Sequence, residues 1–155
     1  MNTGKKKLQN GFTMIEVLAF TLLVSIIFIG LTRIVVLSMR SSKLAQNTVL
    51  ATHFAEELQE WVRGEKEEDW NQLVVKAATS PGLLYCVNSI PASISDLNSG
   101  SGCGSSFGLA NLFKRELTLT KNSDGTQITA KIVVSWMENN IIVTVPVSTI
   151  LSIWE

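Results

Sequence analysis

From Phe12 to Thr32 the chain reads FTMIEVLAFTLLVSIIFIGLT, twenty-one positions whose only charged side chain is Glu16. As an α-helix this run rises about 31 Å at ~1.5 Å per residue, which matches the ~30 Å hydrocarbon core of a bilayer. The run is apolar on every side, and a domain of this size rarely buries such a helix completely. A cleaved secretory signal fits poorly, because no A-x-A-like site follows and Arg33 interrupts the far flank. The segment therefore reads as a retained membrane helix.

The composition narrows what the rest can do. Among 155 residues, 13 basic and 13 acidic side chains cancel, which excludes a generally basic, nucleic-acid-coating protein. Hydrophobic content of 46% with only 17% charged residues excludes a disordered chain. One histidine and two cysteines are too few for a multi-ligand Cys/His metal site. No Gly-rich phosphate loop and no nucleophile elbow occurs. The expectation is a protein that is not an enzyme, with no catalytic residue, no metal and no cofactor.

Charge on the flanks bears on orientation. Residues 1–11, MNTGKKKLQNG, carry Lys5, Lys6 and Lys7 and no acid, while Arg33, Arg40 and Lys43 lie beyond the apolar run. The compact lysine cluster favours a cytoplasmic N-terminus. Glu16 is the anomaly, because a charged carboxylate near the start of an apolar helix costs on the order of 2–3 kcal/mol in lipid. Either it reaches the headgroups or is protonated, or it meets a cation such as the free amino terminus of another chain.

The string Gly11-Phe12-Thr13-Met14-Ile15-Glu16-Val17, after a short basic leader and before a long apolar run, resembles the N-terminal motif of type IV prepilins and pseudopilins. The resemblance combines a small residue, an aromatic, a glutamate four positions later and the hydrophobic span. It is strongest over residues 1–40. It implies cleavage between Gly11 and Phe12 by a prepilin peptidase, N-methylation of Phe12, and a subunit-assembly role for Glu16 opposite a neighbour's terminal ammonium. Many major pilins carry a proline near the far end of the run. Here no proline precedes Pro81, and Arg33 stands roughly in its place, which points to a minor pilin or pseudopilin.

Beyond Arg33 the helical pattern continues. Leu44, Ala51, Phe54, Ala55, Leu58, Trp61 and Val62 recur at three- and four-residue spacing, with His53, Glu56, Glu57, Glu60 and Arg63 mainly on other faces. Gly64 is the expected C-cap, closing a helix of about fifty residues. The acidic run Glu65–Asp69 reads as a solvated helix end and loop, and 70–78 as a short helix or strand. Residues 79–111 are rich in Ser, Gly, Pro and Asn and read as loop, with a short strand at 83–87. Cys86 and Cys103 fall in this loop. In an oxidising compartment they pair as a structural disulfide, and their spacing is not that of a redox C-x-x-C site.

The last third alternates. Phe113, Arg115, Leu117 and Leu119 share one side of a strand; Ile128, Ala130, Ile132, Val134 and Trp136 share one side of a second; Ile141, Val143, Val145 and Val147 share one side of a third. Ser123-Asp124-Gly125 and Glu138-Asn139-Asn140 supply turns, and Pro146 implies that the third strand lies at an edge there or bulges. The Ala51–Val62 stripe is the available cover for the sheet.

The expected organisation is a basic leader (1–11), a transmembrane helix half (12–33), a stalk half packing on the head (34–64), an acidic and Ser/Gly-rich loop region with the disulfide (65–111), and an antiparallel sheet (112–155). The fold class is α+β and pilin-like. The resemblance implies a subunit of a type IV pilus or of a secretion or competence pseudopilus. It starts as a single-pass inner-membrane protein with an extracytoplasmic head. Its partners would be the prepilin peptidase, other pilins or pseudopilins in a filament or tip complex, and the inner membrane, without direct nucleic-acid binding. The alternative is a membrane-anchored extracytoplasmic binding or enzymatic domain, for which the helix is a mere tether.

Overall fold

A computed structural model describes residues 13–98, 100 and 102–153. The chain divides after Lys43 into two units. In the first, residues 14–43 are helical and none is buried. The second comprises the rest of the same helix, a four-stranded sheet and the loops between them.

Helix α1 spans Met14–Glu68. Within the second unit its inward stripe is Ala51, Ala55, Leu58 and Val62, all at 0% exposure, followed by Glu65. Small residues at 51 and 55 bring the helix close to the sheet, and Leu58 and Val62 fill the space farther along. Burying a side chain of that kind contributes roughly 1.5–3 kcal/mol. Leu44, by spacing a member of the stripe, is 41% exposed, so the cover begins at Ala51.

The expected stop at Gly64 is corrected. Gly64 is helix-interior, and α1 runs one further turn to Glu68. A C-cap glycine works by adopting a left-handed backbone, and Gly64 does not do so. The extra turn is anchored instead: the Glu65 carboxylate is buried and accepts a 2.6 Å hydrogen bond from the Ile94 N–H. Asp69 then breaks the helix with φ −152° and caps α2 (Trp70–Val75) by accepting from the Gln72 N–H at 3.1 Å. Residues 65–68 are therefore helix, not loop.

Strands β1 (Leu83–Cys86), β2 (Phe113–Lys121), β3 (Gln127–Glu138) and β4 (Ile141–Ser152) form an antiparallel meander in the order β1-β2-β3-β4. The register sets Leu117 opposite Ile132 and Ile132 opposite Val147, so the apolar sets of the three long strands fall on one face. That face packs on the α1 stripe, with Phe54–Phe113 and Phe113–Trp136 in edge contacts at 5.5 and 5.7 Å. Asn139 (φ 49°) and Asn140 (φ 65°) form a two-residue hairpin turn whose positive dihedrals match the twist of β3 and β4. Pro146 lies opposite Val133 in β4, which pairs with β3 alone and is an edge strand. Ile141 departs from the expected inward set, being 67% exposed at the hairpin tip.

Candidate assembly surface

The first unit presents an apolar helix, none of whose described residues is buried. Met14, Ile15, Phe20 and Phe28 are 87%, 75%, 66% and 64% exposed, and no side chain between 13 and 43 is buried. A soluble monomer rarely exposes apolar surface on this scale. The helix is long and apolar enough to cross a membrane. Its hydroxyls are already satisfied: Thr21 donates to Leu18 O at 3.0 Å, Ser25 to Thr21 O at 2.7 Å and Thr32 to Ile29 O at 2.9 Å. These bonds let three polar residues sit in an apolar segment without an external partner.

Glu16 has no such arrangement. It lies in the first helical turn, its N–H donating to Thr13 O at 3.0 Å, and its carboxylate has no partner among the described residues. The helix dipole favours an anion at this end, by some tenths of a kcal/mol when exposed to water. That is less than the transfer of a charged carboxylate into lipid costs. Such a group in an apolar setting is protonated, reaches the headgroups, or meets a cation from outside the described residues. Gly11 and Phe12, where the expected cleavage and methylation fall, lie outside the described residues.

The head holds its polar groups for its own construction. Cys86 and Cys103 form a disulfide with a Cα–Cα distance of 4.7 Å. Cys103 is held from a second direction, its N–H donating to Glu116 Oε1 at 2.9 Å. Arg115, 1% exposed on the inward side of β2, donates to Val87 O at 2.8 Å, Phe54 O at 2.7 Å and Glu57 Oε2 at 2.8 Å. One guanidinium thereby ties α1, β2 and the chain after β1 together. Lys76 donates to Ser95 O and Leu97 O at 2.8 and 2.7 Å, while Glu65 holds the Ile94 N–H, so the loop around the 3₁₀ turn Ile94–Asp96 is clamped at both ends.

Burial raises the Tyr85 phenol above its ordinary pKa of 10.0, and its hydroxyl donates to Lys76 O at 2.6 Å. Alternation in β2 had placed Arg115 inward, but its partners, and those of Glu65 and Lys76, carry no sequence signal. Among the described residues no group of three or more His, Cys, Asp or Glu side chains could hold a metal ion.

Compared with protein-family models, curated proteins and solved structures, the chain matches none.

Proposed function

We propose that this chain is a minor pilin- or pseudopilin-like structural subunit that assembles through α1 after a prepilin peptidase cuts between Gly11 and Phe12. The single observation that carries the reading is the uncovered apolar helix bearing one unpartnered carboxylate, Glu16, on a chain whose head is closed around its own core. A plain tether would need the apolar surface and would gain nothing from the acid. A subunit needs both, because the helix is its packing surface and Glu16 neutralises the N-methylated Phe12 ammonium of a neighbour. The head stands outside the inner membrane, where an oxidising compartment maintains the Cys86–Cys103 bond.

Coexpression with a prepilin peptidase tests the reading by intact mass and by sheared or crosslinked assemblies. The expected mass is that of residues 12–155 with one added methyl group. Glu16→Ala is expected to be cleaved normally and to insert normally, yet to enter assemblies at least about tenfold less, since stranding one member of a buried pair costs several kcal/mol. Retention of the lysine leader, or equal incorporation of the Glu16→Ala protein, refutes the subunit role.

A further inference from the structure

Two uncovered surfaces on α1 have matching chemistry. On the first, Thr32, Arg33, Val36, Leu37 and Arg40 line a shallow depression of about 340 Å³, sharing one face of the helix through their three-, four- and seven-residue spacing. Neither arginine has an acidic partner among the described residues, and the sequence holds no acid between Glu16 and Glu56. This face is an apolar pair, Val36 and Leu37, bracketed by two guanidinium groups.

The second surface is a groove of about 460 Å³ in the head, bounded by Glu60, Gly64 and Glu67 of α1 and by Thr149–Leu151 of the β4 edge, with Arg63 and Lys66 also on its rim. Gly64 is its bare point. A Cβ there would meet nothing within 4 Å, and its backbone is not left-handed, so neither conformation nor packing inside the chain calls for glycine. A glycine in a helix interior is destabilising, and one use that offsets the cost is close approach of another group to the bare backbone. Thr149 and Leu151, opposite the buried Ala130 and Ile128, are the β4 residues on the side of the sheet that faces α1, and Ile150 between them adds to the lining. Glu60 and Glu67 flank the groove with side chains 67% and 72% exposed. The Glu60–Arg63 contact (2.9 Å) joins two exposed side chains and is weak enough to exchange, whereas Glu67, its own carboxylate open to water, meets at 3.4 Å a Lys66 whose side chain is 11% exposed.

The spacings coincide. Glu60 and Glu67 are seven residues apart, as are Arg33 and Arg40; Gly64 follows Glu60 by four, as Leu37 follows Arg33. We propose that the groove over Gly64 receives the Arg33–Arg40 face of α1 from a second copy of this chain, lying parallel, with Arg33 beside Glu60, Leu37 over Gly64 and Arg40 beside Glu67. The parallel sense rests on the subunit reading above, in which every copy enters the membrane in the same orientation. The contact is heterologous: each copy offers a basic face and a groove whose rim carries two carboxylates beside two cations, and using one leaves the other open. Such a contact propagates into a filament instead of closing as a dimer.

Setting Arg33 beside Glu60 staggers the two copies by 27 residues, about 40 Å at ~1.5 Å per residue, so the contact belongs to assembled copies and not to two copies side by side in one bilayer. The test places Leu37→Cys and Gly64→Cys together in the full chain, oxidises sheared assemblies from cells that coexpress the prepilin peptidase and the assembly machinery, and resolves the products on a non-reducing gel. The native cysteines are already joined within each head. The expected product is a ladder of multimers that neither single substitution forms. Adding Arg33→Glu and Arg40→Glu should reduce the ladder about tenfold, and further adding Glu60→Arg and Glu67→Arg should restore it. If Gly64→Cys protein fails to accumulate, Thr149→Cys on the β4 side of the groove takes its place.

A ladder indifferent to charge reversal overturns the proposal. Loss on reversal of the arginines without rescue by the glutamates also overturns it, and assigns those arginines to anionic lipid headgroups. A lysine-reactive crosslinker applied to the wild type separates the two levels. Multimers with that reagent but none through positions 37 and 64 defeat the groove and leave the subunit reading standing. No multimers with either defeat both.

Discussion

Helix α1 is one element with two economies of side chains. Over residues 14–32 nearly every position is apolar and none is buried; over 51–65 only every third or fourth position faces inward, and those are the ones at or near 0% exposure. The difference teaches that hydrophobicity by itself does not locate a core. A stripe implies a partner of limited width, which the chain supplies as the inner face of its sheet. An all-round apolar surface implies a surrounding partner, which a domain of this size rarely supplies for itself. Polar groups follow the same division. In the second unit Arg115, Glu65 and Lys76 find acceptors or donors within the chain, whereas Glu16 in the first finds none among the described residues.

The largest expected effect comes from exchanging the apolar surface itself. Replacing residues 17–32 with an unrelated apolar helix of equal length, Glu16 retained, should still span a membrane and leave the melting of the head unchanged within about 0.5 kcal/mol. Recovery in crosslinked assemblies should fall to background if, as proposed, the shape of that surface is what neighbouring subunits pack on. Undiminished assembly would reduce the first unit to a tether.

The converse experiment acts on the stripe. Leu58→Ala removes a fully buried side chain between α1 and the sheet and should destabilise the head by about 2–5 kcal/mol. Membrane insertion should be untouched. Denaturant melts of detergent-solubilised protein read the first quantity and carbonate extraction of membranes the second. A loss of insertion as well would show that the two units depend on each other.

Removing the crosslink is expected to act in the same unit to a similar or smaller degree. Cys86→Ala with Cys103→Ala frees the loop closed by a sequence separation of 17 and should lower head stability by roughly 3 kcal/mol on the chain-entropy model. The effect belongs to the loop, because Cys103 is also held by Glu116 and the β2–β3–β4 register does not involve either cysteine. Hydrogen exchange should therefore quicken first in residues 87–111. Uniform acceleration across the sheet would contradict that localisation.

These contrasts also mark what could be read in advance. The meander was legible because alternation over β2, β3 and β4 assigns each side chain to a face, and because Pro146 has no N–H for a second neighbour. The cysteine pair was legible because two thiols in one loop had no other chemistry to perform. The end of α1 was not. It turns on Glu65 meeting the Ile94 N–H across a loop of irregular chain; the three- and four-residue spacing carries the inward stripe on to Glu65, but its partner is a backbone N–H that has no sequence identity. The fate of Arg115 was half legible: strand parity put it inside, but its acceptors at Phe54 and Val87 are backbone oxygens, which carry no sequence identity. On the assembly surface the sequence supplied Glu16 and the apolar run, while the groove at Gly64 needs β4 brought alongside α1 before it exists.

The smallest expected effect is a titration confined to the head. Tyr85 is 1% exposed, and burial raises its phenol above 10.0 because the phenolate would lose its hydration. A proton held more tightly in the folded state than in the unfolded one stabilises the fold as long as the unfolded phenol is also protonated. That contribution is complete below about pH 10, starts to erode where the unfolded phenol ionises, and is gone once the pH passes the raised folded value. The hydrogen bond to Lys76 O disappears with the same proton, since the phenolate has none to donate. Head stability should therefore decline from about pH 10 upward, and Tyr85→Phe should start slightly less stable at pH 8 and flatten that decline. The first unit contains no tyrosine, so the helical signal of residues 14–43 in detergent should show no matching step. Thermal melts between pH 8 and pH 11, wild type against Tyr85→Phe, measure the difference. An equal alkaline slope in both proteins would show that the ionisation of Tyr85 does not govern it.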